Sequence, residues 1–188
     1  MERGSVFLVL SLCLCLTSCD FFDYDVWEKH KIKAGDHFSG LGVEQVSANT
    51  LAYKVRFDST VVYDLGNVNQ DDINKLFGFS GSFRHHQQES ARFGWRWNLQ
   101  KEQVEIFAYM YINGNRISYL MGEADVNEVN EYRIHLTKNG YHLKFKGNHK
   151  FYKAPAGVVQ FRYKLFPYFG GDQPAPHDMT IHMKRIYE

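Results

Sequence analysis

Cysteine is scarce in this chain. It has three, Cys13, Cys15 and Cys19, all within the first nineteen residues. Whatever folds after them therefore has no disulfide, no thiol nucleophile and no cysteine-ligated zinc or iron, and must stand on its apolar core alone. Charge of one sign is also lacking, with 22 Lys and Arg against 21 Asp and Glu and a net charge of +1. That balance gives no general attraction to nucleic acid. No HExxH pattern is present, and no loop of alternating carboxylates suits calcium. His85 and His86 are adjacent and would point to opposite faces of a strand, so no metal site is expected and no cofactor is implied. Long apolar runs are missing too, apart from Val6 to Leu16, which is too short to span a bilayer.

That run follows Arg3 and ends in Leu16-Thr17-Ser18-Cys19. The segment resembles a bacterial lipoprotein signal peptide with its lipobox. The resemblance implies that residues 1–18 are removed and that Cys19 is acylated, so that a lipid bilayer becomes a partner through acylated Cys19. Loss of Glu2 and Arg3 cancels, and the net charge of the remainder stays +1. Residues 19–26, including Asp20-Phe21-Phe22-Asp23-Tyr24-Asp25, read as a short lipidated tether. Aspartate directly after the lipidated cysteine resembles the inner-membrane retention signal of enteric bacteria. Acidic residues just after it resemble the surface-export signal of Bacteroidetes lipoproteins. A chain rich in Asn, Tyr, Lys and Phe favours the second, which implies an outer-membrane anchor at the cell surface, with a periplasm-facing one as the alternative.

Beyond the tether the dominant period is two, as in strands with one buried face. Tyr53, Val55 and Phe57 alternate with Lys54, Arg56 and Asp58; Tyr132, Ile134 and Leu136 alternate with Arg133, His135 and Thr137. Tyr141, Leu143 and Phe145 continue the pattern after Asn139-Gly140, a type I′ hairpin signal, as is Asn113-Gly114. A further turn is expected at Gly147-Asn148, making Tyr132 to Tyr152 a meander. One short helix is expected where Asn69 can cap and Ile73, Leu76 and Phe77 form a stripe. Aromatic residues, 16% of the chain, supply a sizeable core. The reading is one all-β domain over residues 27–188, an antiparallel sandwich with one short helix.

Three segments carry a more specific likeness: Asp71-Asp72-Ile73-Asn74-Lys75-Leu76-Phe77-Gly78-Phe79, Ser90-Ala91-Arg92-Phe93-Gly94-Trp95-Arg96-Trp97, and Phe166-Pro167-Tyr168-Phe169-Gly170-Gly171 ahead of Thr180-Ile181-His182-Met183. In layout they resemble the concanavalin A-like jelly roll of polysaccharide lyases and glucan-binding domains. The resemblance implies a jelly-roll β-sandwich whose concave sheet holds a carbohydrate cleft. Alternation sorts the candidates for that cleft. Phe93, Trp95 and Trp97 share the core face of one strand, leaving Arg92, Gly94 and Arg96 opposite. Val104, Ile106 and Met110 are the apolar set of the next, leaving Glu105, Tyr109 and Tyr111. In Val159 to Phe166 the polar set is Gln160, Arg162 and Lys164. The candidate ligand-binding face is thus Arg92, Arg96, Glu105, Tyr109, Tyr111, Gln160 and Arg162, with Gly94 leaving room for a ligand. Arginine forks read carboxylates and tyrosines supply flat surfaces for sugar rings. The plainer alternative is a solvated face laced with cross-strand pairs, Arg96 with Glu105 among them.

A retaining glucanase of this fold would need paired carboxylates about 5–5.5 Å apart. No E-x-D-x-E run is present, and Glu105 is alone on its strand. A lyase needs a Tyr or His base and an Arg, Asn or Gln to neutralise a uronate carboxyl, which Tyr109 or Tyr111 beside Arg92, Arg96 and Gln160 could provide. The R-x-E-L-R and Q-I-H strands of the alginate-lyase group are absent. The expectation is therefore a domain that binds a polysaccharide, an oligosaccharide or another envelope ligand without catalysis. A polysaccharide lyase and a protein-docking subunit of an envelope complex are the alternatives.

Overall fold

Alternating side chains along twelve strands build two antiparallel sheets in the computed structural model, which describes residues 26–40, 42, 44–81, 85–155 and 162–187. The first sheet runs in the order β1 (Glu28–Ile32), β12 (Met179–Ile186), β3 (Thr50–Phe57), β8 (Val129–Thr137), β9 (Gly140–Phe145) and β10 (Asn148–Lys153). The second runs β2 (Gln45–Val46), β11 (Arg162–Leu165), β4 (Asn74–Ser80), β5 (Glu89–Asn98), β6 (Gln103–Ile112) and β7 (Asn115–Ala124). Neighbours distant in sequence, such as β3 beside β12, make this a jelly-roll sandwich. The core lies between the sheets, where burial of large aromatics supplies the main stabilisation. Phe77 packs against Tyr53 at 4.6 Å and Phe93 at 5.6 Å between ring centroids, and Trp95 against Phe57 at 5.4 Å. Trp95 and Trp97 are both buried, as the alternation requires.

The meander β8-β9-β10 follows the sequence pattern, with two corrections to its turns. Thr137 pairs with Gly140, so the two-residue turn is Lys138-Asn139 and not Asn139-Gly140. Gly140 is needed for another reason, because a Cβ there would strike the Tyr152 carbonyl of β10. In the next turn Phe145 pairs with Asn148, and Lys146 and Gly147 carry φ of 43° and 80°. Asn113-Gly114 forms the expected hairpin, with φ of 51° and 79°.

The short helix is a larger correction. Asn67 caps a single 3-10 turn, Val68–Asp71, and the stripe Leu76 and Phe77 belongs to β4. This strand lies inside the sheet, and an irregular register puts Leu76, Phe77 and Phe79 all in the core, so its apolar run mimics a helical stripe. A β-bulge between Lys75 and Gly78 gives β4 one extra residue against β5, so Lys75 pairs with Gly94 and Gly78 with Arg92. Both residues consequently face away from the core.

Candidate functional site

The outward face of the second sheet is set by register. Arg92 on β5 lies opposite Tyr109 on β6 and Gly78 on β4, and Gly78 in turn lies opposite Leu165 on β11. One pair further along, Ser90 lies opposite Tyr111, whose other neighbour on β7 is Arg116. Lys75 joins them through the bulge, held at its backbone by a bridge to Tyr168 with N–O distances of 2.8 and 2.9 Å. Lys75, Arg92, Tyr109, Tyr111 and Arg116 line a cleft of about 790 Å³, with Phe38, His86, Tyr168 and Asp172 also in its wall.

Within the cleft Arg92 is a buried cation with no ion pair, and Lys75 is a half-buried one near Asp72. Arg92 is 6% exposed, its Nε meets no hydrogen-bond partner, and no carboxylate among the described residues reaches it. Its guanidinium lies 5.9 Å from the Tyr109 ring centroid. Burial brings its pKa down to about 10, against the opposing pull of Tyr109, Tyr111 and Tyr163. Lys75 Nζ donates to the Gly170 carbonyl at 2.6 Å and sits 5.5 Å from the Tyr109 ring centroid and 5.3 Å from that of Tyr168. Burial, and then the charge of Arg92, lowers its pKa to about 8 against the opposing pull of Asp72. Burial, then the neighbouring Tyr111, pushes Tyr109 up to about 12. Burial and Arg92 hold His86 at about 4, so it stays neutral near pH 7. The cleft therefore combines an unpaired guanidinium, an amine able to lose its proton near neutrality and a phenol that keeps its own.

Arg92, Tyr109 and Tyr111 are brought together as expected from sequence. Arg96 and Glu105 share the same face but are tied to each other, with Nε to Oε2 at 2.6 Å. Arg96 also reaches Asp71 at 3.1 Å, while Asn98 and Lys101 hold the other oxygen of Glu105. They form the cross-strand pair and are spent on structure. Arg162 corrects the expectation outright. Lys164 lies opposite Phe79, so it and Arg162 take the core side of β11, and the residues beside Arg92 are Tyr163 and Leu165. Arg162 is buried at the edge of the core, donating to the Ser47 and Ala48 carbonyls at 2.9 Å and to Asn49 at 3.1 Å, with its guanidinium 5.5 Å from the Phe79 ring centroid. The polar residues of that strand point inwards because loop carbonyls there need donors. Gln160 and Cys19 lie outside the described residues. Gly94 leaves no room for a ligand, since Ile73 Cγ2 already occupies the space above it. Lys75 was missed because the bulge that exposes it has no sequence signature; a lone lysine inside the run Ile73 to Phe79 was the available sign.

No protein-family model matches the chain, and no curated protein does. Among solved structures it is similar to the alginate lyase AlyC3, at 14% identity and a TM-score of 0.62 over 85% of this chain and 74% of that one. The same enzyme in complex with dimannuronate gives 14% identity and a TM-score of 0.61 over 85% and 73%. A structure described with endo-acting O-glycanases of the human gut microbiota that initiate mucin breakdown aligns at 10% identity and a TM-score of 0.55, over 85% and 78%. At such identities the likeness establishes the fold, a jelly roll shared with glycan-active proteins. It also corrects the expectation of a domain that binds without catalysis, because the structures it matches at 0.62 and 0.61 are of a lyase.

Proposed function

We propose that this chain is a polysaccharide lyase that cleaves a uronate-containing glycan by β-elimination in the cleft of the second sheet. The observation that carries the reading is Arg92, a buried guanidinium with an unpartnered Nε and no carboxylate of its own, facing Tyr109 and Lys75. A buried cation left in this state is costly unless an anion arrives with the substrate. The uronate carboxylate fills that place and its negative charge grows as the adjacent carbon loses a proton, which makes Arg92 the stabiliser of the developing charge. Lys75, with its pKa near 8, accepts the proton from that carbon. Tyr109, protonated up to about 12, donates its proton to the glycosidic oxygen as the carbon–oxygen bond breaks and a carbon–carbon double bond forms. Arg92 and Arg96 keep the arginine spacing of R-x-E-L-R, with Gly94 and Trp95 in the middle. The alginate-lyase neighbours support the same class of reaction.

The test is the ultraviolet absorbance of the unsaturated product on incubation with mannuronate and guluronate polymers and other polyuronates. Tyr109→Phe, which keeps the ring and removes only the hydroxyl, should lose the signal and retain the fold. No absorbance rise with any polyuronate ends the proposal.

The lipid anchor at Cys19 and the outer-membrane, surface-facing location are part of the same reading, supported by the lipobox sequence. No helix among the described residues is long and apolar enough to cross a membrane. Cys19→Ala should abolish palmitate labelling and move the protein out of the membrane fraction. Continued labelling of the variant would sink the anchor.

A further inference from the structure

The outer face of the first sheet, on the opposite side of the domain from the cleft, carries a charge imbalance that the chain as a whole lacks. Register aligns Lys29 with His182 and Arg56, and Lys54 between Lys184 and Glu131. Arg133 lies opposite Lys144. Val55, Tyr132, Leu143 and Ile181 at the alternate positions are buried, so these cations point away from the core. Glu131 is bonded to Arg133 at 2.7 Å and His182 faces Asp58 at 3.2 Å. Lys29, Lys54, Arg56 and Lys144 form no ion pair within 4 Å among the described residues, although Glu131 lies opposite Lys54. An anionic surface lying over the face supplies the counter-charge for Lys29, Lys54, Arg56 and Lys144.

The start of the fold indicates which surface that is. β1 is the edge strand of this sheet, and Glu28 lies nine positions after Cys19 (28 − 19 = 9). Even fully extended, that stretch reaches only about 30 Å. A lipid on Cys19 would hold the basic face near the headgroups, where a second contact is intramolecular and strongly favoured by effective concentration. We infer that the outer face of the first sheet docks on an anionic bilayer surface, beside the acyl anchor, and turns the cleft of the second sheet away from the membrane. The inference rests on the anchor proposed above. Acyl chains with a basic patch are a two-signal attachment, and the patch selects anionic lipid.

The experiment uses the lipidated full chain on vesicles of phosphatidylcholine alone or mixed with phosphatidylglycerol, with lysine acylation read by mass spectrometry. Lys54 and Lys144 should react several-fold more slowly on the anionic vesicles. Lys101, in the turn between β5 and β6, should react equally on both. High salt, or Lys29→Glu with Arg56→Glu, which leaves both reporting lysines in place, should remove the difference. Equal reactivity of Lys54 and Lys144 on the two vesicles overturns the inference, and so does protection by a soluble polyuronate in place of the vesicles. If the chain fails to float with neutral vesicles yet is protected on anionic ones, the anchor falls and the docking face stands.

Discussion

Arg92 and Tyr109 stand directly opposite each other on β5 and β6, with the guanidinium 5.9 Å from the ring centroid and its Nε without a partner. Each shapes the other. The phenol shields the cation from water, and the positive charge opposes the burial that raises the phenol's pKa. A pair of this kind fixes a place for an anion next to a proton donor.

Arg92→Ala should reduce cleavage of a uronate polymer about a hundred- to a thousand-fold, the scale of losing one donor to a developing negative charge. Arg92→Lys should recover part of it, since a point charge replaces a planar fork. Initial rates of absorbance increase measure both; an unchanged rate in the alanine variant removes Arg92 from the site.

The rate should rise with pH across the window around 8, because the folded pKa of Lys75 is depressed below its ordinary value and the amine becomes available as it loses its proton. Burial is the principal cause, with Arg92 adding to it. Lys75→Met should abolish the rate and with it the rise. A wild-type profile that falls through pH 8 would instead make charged Lys75 a binder of the carboxylate.

Arg162→Ala should act on stability alone. It removes charged hydrogen bonds to Ser47, Ala48 and Asn49, a loss of about 2 kcal/mol, visible as a lower denaturant midpoint. The cleavage rate per folded molecule should stay at the wild-type value; a selective fall in rate would return Arg162 to the cleft.

Gly94→Ala should destabilise the fold by about 1–3 kcal/mol, the range for forcing extra volume into packed surroundings. The added carbon meets Ile73 Cγ2 and lies 3.1 Å from the Asn74 carbonyl. A variant that unfolds at the wild-type midpoint would show that the space above Gly94 is open after all.

The sequence by itself determined the strands and their buried faces wherever one face met water. Tyr132, Ile134 and Leu136 against Glu131, Arg133 and His135 follow from the two-residue period, because an exposed face must be polar and a core face apolar. It also determined the Asn113-Gly114 hairpin, since left-handed backbone is cheap for those two residues. Only the tertiary structure decided the rest. In β4 a bulge sends Leu76 and Phe77 into the core in succession, so its apolar run has no period to read, and the turning of Lys75 outward is a matter of register with β5. On β11 the polar residues face inwards because Arg162 satisfies carbonyls of a loop more than a hundred residues away, at a sequence separation of 114 or 115. Local alternation records that a side chain is polar. Whether water, a carbonyl or a ligand answers that polarity depends on which distant segment packs beside it.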